Sequence, residues 1–228
     1  MTDNNVLSCK IVLLGESGVG KTCIISRYIN KVFEGNTIST NGASYAAKTL
    51  RFDEYDKSLK VEIWDTAGQE QYRSLTKIFY KDATAAILVY DITRKKSFDE
   101  IKNYWYKQLL DCAPSDIVVG LAGNKADLFD REQVSEEEAK AFAKEIKAIF
   151  KPTSAMTAIG IDELFSAVGK KILDPDYVEE EEEVEPEPKP EPTPKKTVDI
   201  NTKERGIKLG GGGKEEKKKE KCCGGKKE

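Results

Sequence analysis

The sequence predicts an α/β fold: a six-stranded, mostly parallel sheet with one antiparallel edge strand and helices on both faces. Three observations predict it. Short apolar runs alternate with longer segments of helical period, the pattern of a parallel sheet wound with helices. Two strand-like segments follow one another with only a polar turn between them, which adds the antiparallel edge. Beyond Leu173 no segment has the apolar pattern to extend a core.

The elements follow in order. Lys10–Leu14 is an apolar run suited to a strand buried on both faces. Residues 21–31 have helical spacing. Ser44–Phe52 and Leu59–Trp64 form a hairpin around the turn Asp53–Ser58. Ala85–Tyr90 and Ile117–Ala122 are further buried strands, and Ala148–Phe150 is the last, at the other edge. Pro152 beside it is tolerable because an edge strand can lose a ladder hydrogen bond. Helices are expected over Ser97–Asp111, Ser135–Ile149 and Ile161–Leu173. Ser97 and Ser135 read as N-caps, and Glu138 three residues after Ser135 suggests a capping box.

Within the hairpin, alternation assigns faces. Leu59, Val61 and Ile63 point one way; Lys60, Glu62 and Trp64 point the other. On the partner strand Ala46, Leu50 and Phe52 share a face, and Tyr45 lies opposite. Two large aromatics therefore stand on the polar face of adjacent strands, a candidate surface for a partner.

Composition excludes whole chemistries. The 228 residues contain no histidine, so a Ser-His-Asp triad, a Cys-His pair and an imidazole zinc site are all impossible. The formal net charge of −3 is a sum over unlike regions. Residues 1–173 hold 24 acidic and 24 basic residues, giving no electrostatic case for nucleic acid. Residues 174–198 carry a net −7 and residues 199–228 a net +4; a basic end suits an anionic membrane surface. Six of the eight prolines fall in residues 174–194, beside the run Glu179–Glu183, so this stretch is expected to stay extended and solvated. The five cysteines show no disulfide or zinc spacing, which favours a reducing compartment. No secretory signal or membrane-spanning run is seen, and the chain reads as cytosolic.

The strand Lys10–Leu14 leads into Gly15-Glu16-Ser17-Gly18-Val19-Gly20-Lys21-Thr22, with Cys23 next on the helix. A glycine-rich loop between strand and helix lets backbone N–H groups curl round phosphates. Lys21 reaches the β- and γ-phosphates, and the Thr22 hydroxyl ligates Mg²⁺. In Trp64-Asp65-Thr66-Ala67-Gly68-Gln69-Glu70, Asp65 can hold Mg²⁺ through water, the Gly68 N–H can reach the γ-phosphate, and Gln69 can orient the attacking water. In Asn124-Lys125-Ala126-Asp127, the carboxylate can accept from N1–H and the exocyclic amine of guanine. Adenine offers neither donor, so the site selects GTP over ATP. The Lys125 stem can cover the base, and Thr153-Ser154-Ala155 can supply backbone contacts to it.

The order and spacing of these pieces resemble the Ras-superfamily small GTPases over residues 7–173. Trp64–Glu70, Tyr90-Asp91-Ile92-Thr93 and the paired Cys222-Cys223 resemble the Rab family, and Ile117–Leu128 with Ala85–Thr93 is most similar to its early-endosomal branch. The resemblance implies the P-loop NTPase fold and a GTP-hydrolysing switch of vesicle traffic. Catalysis would rest on Lys21 and Gln69, with Mg²⁺ as cofactor and GTP or GDP bound. A switch-loop threonine should close over Mg²⁺ and the γ-phosphate. Thr37 and Thr40 are both available, and Thr40 matches the family layout better because Gly42 and Tyr45 follow it. Phe33 falls where the family sets an aromatic edge against the guanine. Tyr45, Trp64 and Phe79 match the family's effector-contacting aromatics. Asn41 and Met156 depart from the family pattern.

The resemblance also implies partners. These are an exchange factor, a GTPase-activating protein, effectors, a GDP-dissociation inhibitor and a prenylation escort, with the chain otherwise a monomer. Residues 1–173 would form the GTPase domain and residues 174–221 a tether reaching about 35–40 Å as a flexible chain. Residues 222–228 would carry prenylated Cys222 and Cys223, two lipids giving stable anchoring where one is marginal. Ile207-Lys208-Leu209 resembles the escort-binding element. Five residues follow the cysteines, more than the family usually has. The expected location is the cytosol and the cytoplasmic face of endomembranes, endosomal in the first place. Two other readings stand beside this one: a non-catalytic nucleotide-binding adaptor of the same fold, and an ATP-using P-loop kinase, which Asn124–Asp127 disfavours.

Overall fold

The computed structural model describes residues 6–33, 35, 40, 43–66, 68 and 79–179. They form a six-stranded sheet in the order β2-β3-β1-β4-β5-β6. The strands are β1 (Val6–Leu14), β2 (Ala43–Phe52), β3 (Lys57–Thr66), β4 (Ala85–Asp91), β5 (Val118–Asn124) and β6 (Ile149–Thr153). All neighbours pair in parallel except β2 and β3, so β2 is the antiparallel edge that the hairpin reading required. The helices are α1 (Lys21–Asn30), α2 (residues 95–112), α3 (Glu136–Glu145) and α4 (Ile161–Leu173).

Alternation along the central strands builds two cores. Ile11 and Leu13 of β1, with Ile87 and Val89 of β4, pack with Ile24 and Tyr28 of α1 and Phe165 and Val168 of α4. Val12, Leu14, Leu88 and Tyr90 face the other way, toward Phe98 and Trp105 of α2 and Phe142 of α3. β4 is buried along its whole length, as expected of a strand covered on both faces. Every parallel strand then ends on the same side of the sheet, where loops after β1, β4, β5 and β6 meet.

Several boundaries shift. β1 begins four residues earlier than its apolar run because Val6 to Cys9 still pair with Ser58 to Val61. The hairpin turn tightens to a 3₁₀ turn, Asp53–Tyr55, closed by Asp56 at φ 45°. α3 stops at Glu145 rather than Ile149, because Lys147 turns left-handed at φ 55° and feeds β6. β6 runs on through Pro152, which pairs opposite Gly123 at the free edge.

The Ser97 cap is a correction. α2 begins at Lys95 with Arg94 as its N-cap residue. Ser97 lies inside the first turn, fully buried, where its hydroxyl donates to the Arg94 carbonyl (2.7 Å) and accepts the Asp91 N–H (3.0 Å). It staples the preceding loop instead of capping. Ser135 does cap: its Oγ accepts the Glu138 N–H at 3.2 Å. The Glu138 carboxylate goes to Lys95 and Lys102 (3.0 Å to the latter), so only half of a capping box forms.

Candidate functional site

A cavity of about 530 Å³ opens where the parallel strands end. Ser17, Gly18, Gly20, Lys21, Thr22 and Cys23 line it from one side, and Asn124, Lys125, Asp127 and Ala155 from the other. Phe33, Thr40 and Gly68 complete the rim. The candidate residues Gly15, Glu16, Val19, Asp65 and Ser154 are not on this lining but bond residues that are: Lys21, Asn124, Thr22 and Asp127. Gly35, Thr66, Leu128 and Met156 line it too, without having been picked out for the site.

The first loop is shaped by glycine where only glycine fits. Gly20, the residue before α1, has φ 97°, and a Cβ there would lie 2.4 Å from Asn124 Nδ2. The Lys21 ammonium folds back on its own loop and donates to the carbonyls of Gly15 (2.8 Å) and Glu16 (3.0 Å). Burial lowers its pKa to about 8, against the pull of Asp65 and Glu16 and with a further push from Arg94. Gly68 presses so closely on the loop that a Cβ would sit 2.4 Å from the Ser17 nitrogen.

Beside Lys21, three oxygens from distant parts of the chain converge. Thr22 Oγ1 donates to Asp65 Oδ2 at 2.5 Å, and Thr40 Oγ1 lies 2.8 Å from Thr22 Oγ1 and 3.2 Å from the same carboxylate oxygen. The other oxygen, Asp65 Oδ1, is buried with no hydrogen-bond partner. Burial raises the Asp65 pKa although Thr22 and Lys21 oppose it. Among the described residues no cluster of three or more Cys, Asp or Glu could cage a metal. One carboxylate with an unused oxygen and two hydroxyls do fit a cation that keeps water and takes phosphate oxygens, which is the habit of Mg²⁺. Of the two candidate threonines, Thr40 is in this cluster; Thr37 lies outside the described residues.

At the far end, Ser154 Oγ donates to Asp127 Oδ1 at 2.5 Å and fixes the carboxylate. The Asn124 amide spans the two loops, donating from Nδ2 to the Val19 carbonyl at 2.7 Å. Lys125 is left-handed at φ 67° and pairs through Nζ with Asp91 at 2.7 Å. Arg27, on α1, donates to the carbonyls of Ala155 (2.7 Å) and Met156 (2.9 Å) and to that of Lys31 (2.9 Å).

Arg27, Asp91 and Arg94 carry no role in the sequence reading. Asp91 had a signal: a carboxylate ending a fully apolar strand must find partners. The two arginines reach residues 128 and 77 positions away, which no local pattern reveals.

The aromatic row is real. Tyr45 sits opposite Trp64 in register, with ring centroids 5.4 Å apart, and Trp64 lies 5.6 Å from Phe79. Tyr45 is 52% exposed, while Trp64 and Phe79 are half-buried against the α2 core. Gln69, Asn41, Ile207-Lys208-Leu209, Cys222 and Cys223 lie outside the described residues. Among the described residues no helix is long and apolar enough to cross a membrane.

A glycine-rich loop before α1, a hydroxyl–carboxylate cluster beside its lysine, and a carboxylate at the far end define a P-loop nucleotide-binding protein. The Ras family model matches residues 10–174. Human Ras-related protein Rab-22A is 46% identical over 167 residues, which is 73% of this chain and 84% of the human protein. The dog protein of the same name gives the same identity and the same coverage. The chain thus belongs to the Ras family of small GTPases and is a Rab-type, GTP-hydrolysing switch of vesicle traffic, as the resemblance indicated. Ras-family GTPases in general bind GTP or GDP with Mg²⁺ and work through regulators and effectors.

Proposed function

We propose that the cavity holds GTP and GDP with the phosphates in the loop 15–22 and the guanine between Lys125, Ala155 and Asp127. The observation that carries this reading is the Thr22–Thr40–Asp65 cluster: residues from α1, a loop and β3 converge beside Lys21, leaving Asp65 Oδ1 unsatisfied. Mg²⁺, held there by Thr22, Thr40 and Asp65, supplies charge neutralisation for the phosphates.

The protein's own part is positioning. Lys21 spends two N–H groups on the Gly15 and Glu16 carbonyls and keeps the third for a phosphate oxygen. Phosphoryl transfer needs placement and positive charge rather than a titrating base, so a chain without histidine is equipped for it. Asp127, fixed by Ser154, reads the two guanine donors. Gln69 orients the attacking water. Intrinsic turnover is slow, on the order of 10⁻⁴ s⁻¹, and an activating protein raises it about 10³–10⁵-fold. GTP engages Thr40 and Gly68 on the cavity rim, and hydrolysis releases them.

In this reading Tyr45, Trp64 and Phe79 meet effectors, and an exchange factor and a GTPase-activating protein set the nucleotide. A GDP-dissociation inhibitor and a prenylation escort handle the lipidated form. Residues 174–221 tether the domain of residues 1–173 to a membrane through prenylated Cys222 and Cys223. The chain acts as a monomer on the cytoplasmic face of endosomes.

Single-turnover hydrolysis of bound GTP tests the core of this. Wild-type protein releases phosphate slowly and Gln69→Leu retains GTP. Equal rates for the two would refute the role of Gln69, and failure to bind GTP would refute the site.

A further inference from the structure

We propose that Asp91 and Arg94 form a brace joining the guanine-side lysine to the phosphate loop, and that they are positioning residues for nucleotide retention. The proposal rests on the reading of the cavity as a guanine-nucleotide site.

Asp91 ends β4 and is 1% exposed. Burying a carboxylate is costly unless it is partnered, and both oxygens of this one are. Oδ1 accepts the Thr93 N–H at 3.0 Å and the Thr93 hydroxyl at 2.7 Å. Oδ2 takes the Lys125 ammonium at 2.7 Å and Arg94 Nε at 3.2 Å. Burial works to raise the Asp91 pKa, but Lys125 and Thr93 outweigh it and hold the carboxyl below the usual carboxylate range. Lys125 is thereby pinned where its stem flanks the base end of the cavity.

The same carboxylate orients Arg94, whose Nη2 donates to the Ser17 carbonyl at 3.1 Å. A trans peptide places the C=O and the following N–H on opposite sides of one plane. Holding the Ser17 carbonyl from behind therefore leaves the Gly18 N–H on the other side, and Gly18 lines the cavity. Gly18 sits at φ 76°, outside the helix, so nothing in α1 fixes its orientation. Lys96 adds a looser link from the same segment, 3.9 Å from Glu16. The brace is rigid at its root: the Arg94 N–H bonds the Asp91 carbonyl at 2.9 Å, and Ser97 staples both. Two ends of the cavity, more than a hundred residues apart in sequence, thus share one buried charge.

The N–H groups of Thr22 and Cys23 belong to α1 and are held by the helix whatever Arg94 does. The brace therefore acts on the loop-bound outer phosphate more than on the one nearest the ribose. That difference separates positioning from general loosening.

The test uses the full-length chain loaded with a fluorescent GDP at fixed Mg²⁺, chased with excess GDP. Arg94→Ala speeds release about tenfold, equivalent to about 1.4 kcal/mol. Asp91→Asn speeds it at least as much. The double variant exceeds Asp91→Asn by less than about twofold, because Arg94 without its anchor has little left to hold. Arg94→Lys falls between wild type and Arg94→Ala, since an ammonium cannot span both acceptors. In competition binding, Arg94→Ala weakens GDP about tenfold and GMP less than about twofold. Wild-type release rates in Arg94→Ala, equal losses for GDP and GMP, or fully multiplicative effects in the double variant would each overturn the brace. Arg94 is 43% exposed, so its alanine variant folds and the test survives should Asp91→Asn not. A wild-type chain that holds no GDP would instead refute the nucleotide site itself.

Discussion

Gly160→Ala puts the geometry of the base-side loop to a direct test. Gly160 precedes α4 with φ 71° and closes the loop that carries Ser154, Ala155 and Met156. A Cβ there would lie 1.9 Å from the Pro152 carbonyl oxygen, where approaches under 3.0 Å are not tolerated. Two costs add. An L-residue in the left-handed region costs about 1–2 kcal/mol. Moving a backbone carbonyl by about 1 Å in a packed edge costs about as much again, on the scale of overpacked cores. Their sum, about 3 kcal/mol, should lower the Tm by about 6–12 °C for a domain of this size. Thermal unfolding followed by circular dichroism, with GDP saturating both proteins, measures it. Gly35→Ala is the control, because its nearest neighbour among the described residues is Phe33 Cε1 at 3.9 Å, and its Tm should move by no more than about 2 °C. A Gly160→Ala shift under about 2 °C would mean that the close approach to Pro152 is not a feature of the folded protein.

Trp64→Ala should abolish capture of effectors by the GTP-loaded protein in pull-downs while leaving GTP affinity in place; unchanged capture would detach the aromatic row from recognition. Lys95 and Lys102 hold the Glu138 pKa below its ordinary value, so its contribution is present above the unfolded carboxylate pKa and is lost as pH falls through the folded one. Glu138→Gln should accordingly lose less stability than wild type between neutral pH and about pH 3, read from urea midpoints. Mass spectrometry of the chain from native membranes should find prenyl groups on Cys222 and Cys223; unmodified thiols there would refute the anchor.

The sheet and its helices were legible because burial imposes its period on the residues themselves. β4 is apolar from Ala85 to Tyr90 because both faces are covered, and Leu59, Val61 and Ile63 are buried where alternation put them. The phosphate loop was legible because its glycines answer backbone demands local to the loop, as Gly20 shows. What could not be read was carried by long contacts. Ser97 has the composition of a cap, yet its hydroxyl is spent on a loop that tertiary packing brings to it. Asn124 lines the cavity, and its amide also ties that wall to Val19, 105 residues earlier, a contact that no local pattern reveals.

These long contacts share a chemical pattern that explains how the cavity acquires its character. Asn124 takes the Val19 carbonyl, Arg94 that of Ser17, and Arg27 those of Ala155 and Met156. In each case a side-chain donor occupies a loop carbonyl, and peptide planarity leaves the following N–H on the opposite side. For Ser17 and Val19 the following residues are Gly18 and Gly20, both on the cavity wall. The loops are thus held with carbonyls bound and N–H groups available, which is a field for an anion built without a titrating group. Such a field must be held by the rest of the fold, because like-oriented N–H dipoles repel when no anion is present. The cost of keeping the empty cavity in this shape is met by Asn124 on the cavity wall and by Arg27, Asp91 and Arg94 off it, the last three being residues that would not line the nucleotide yet would decide how long it stays.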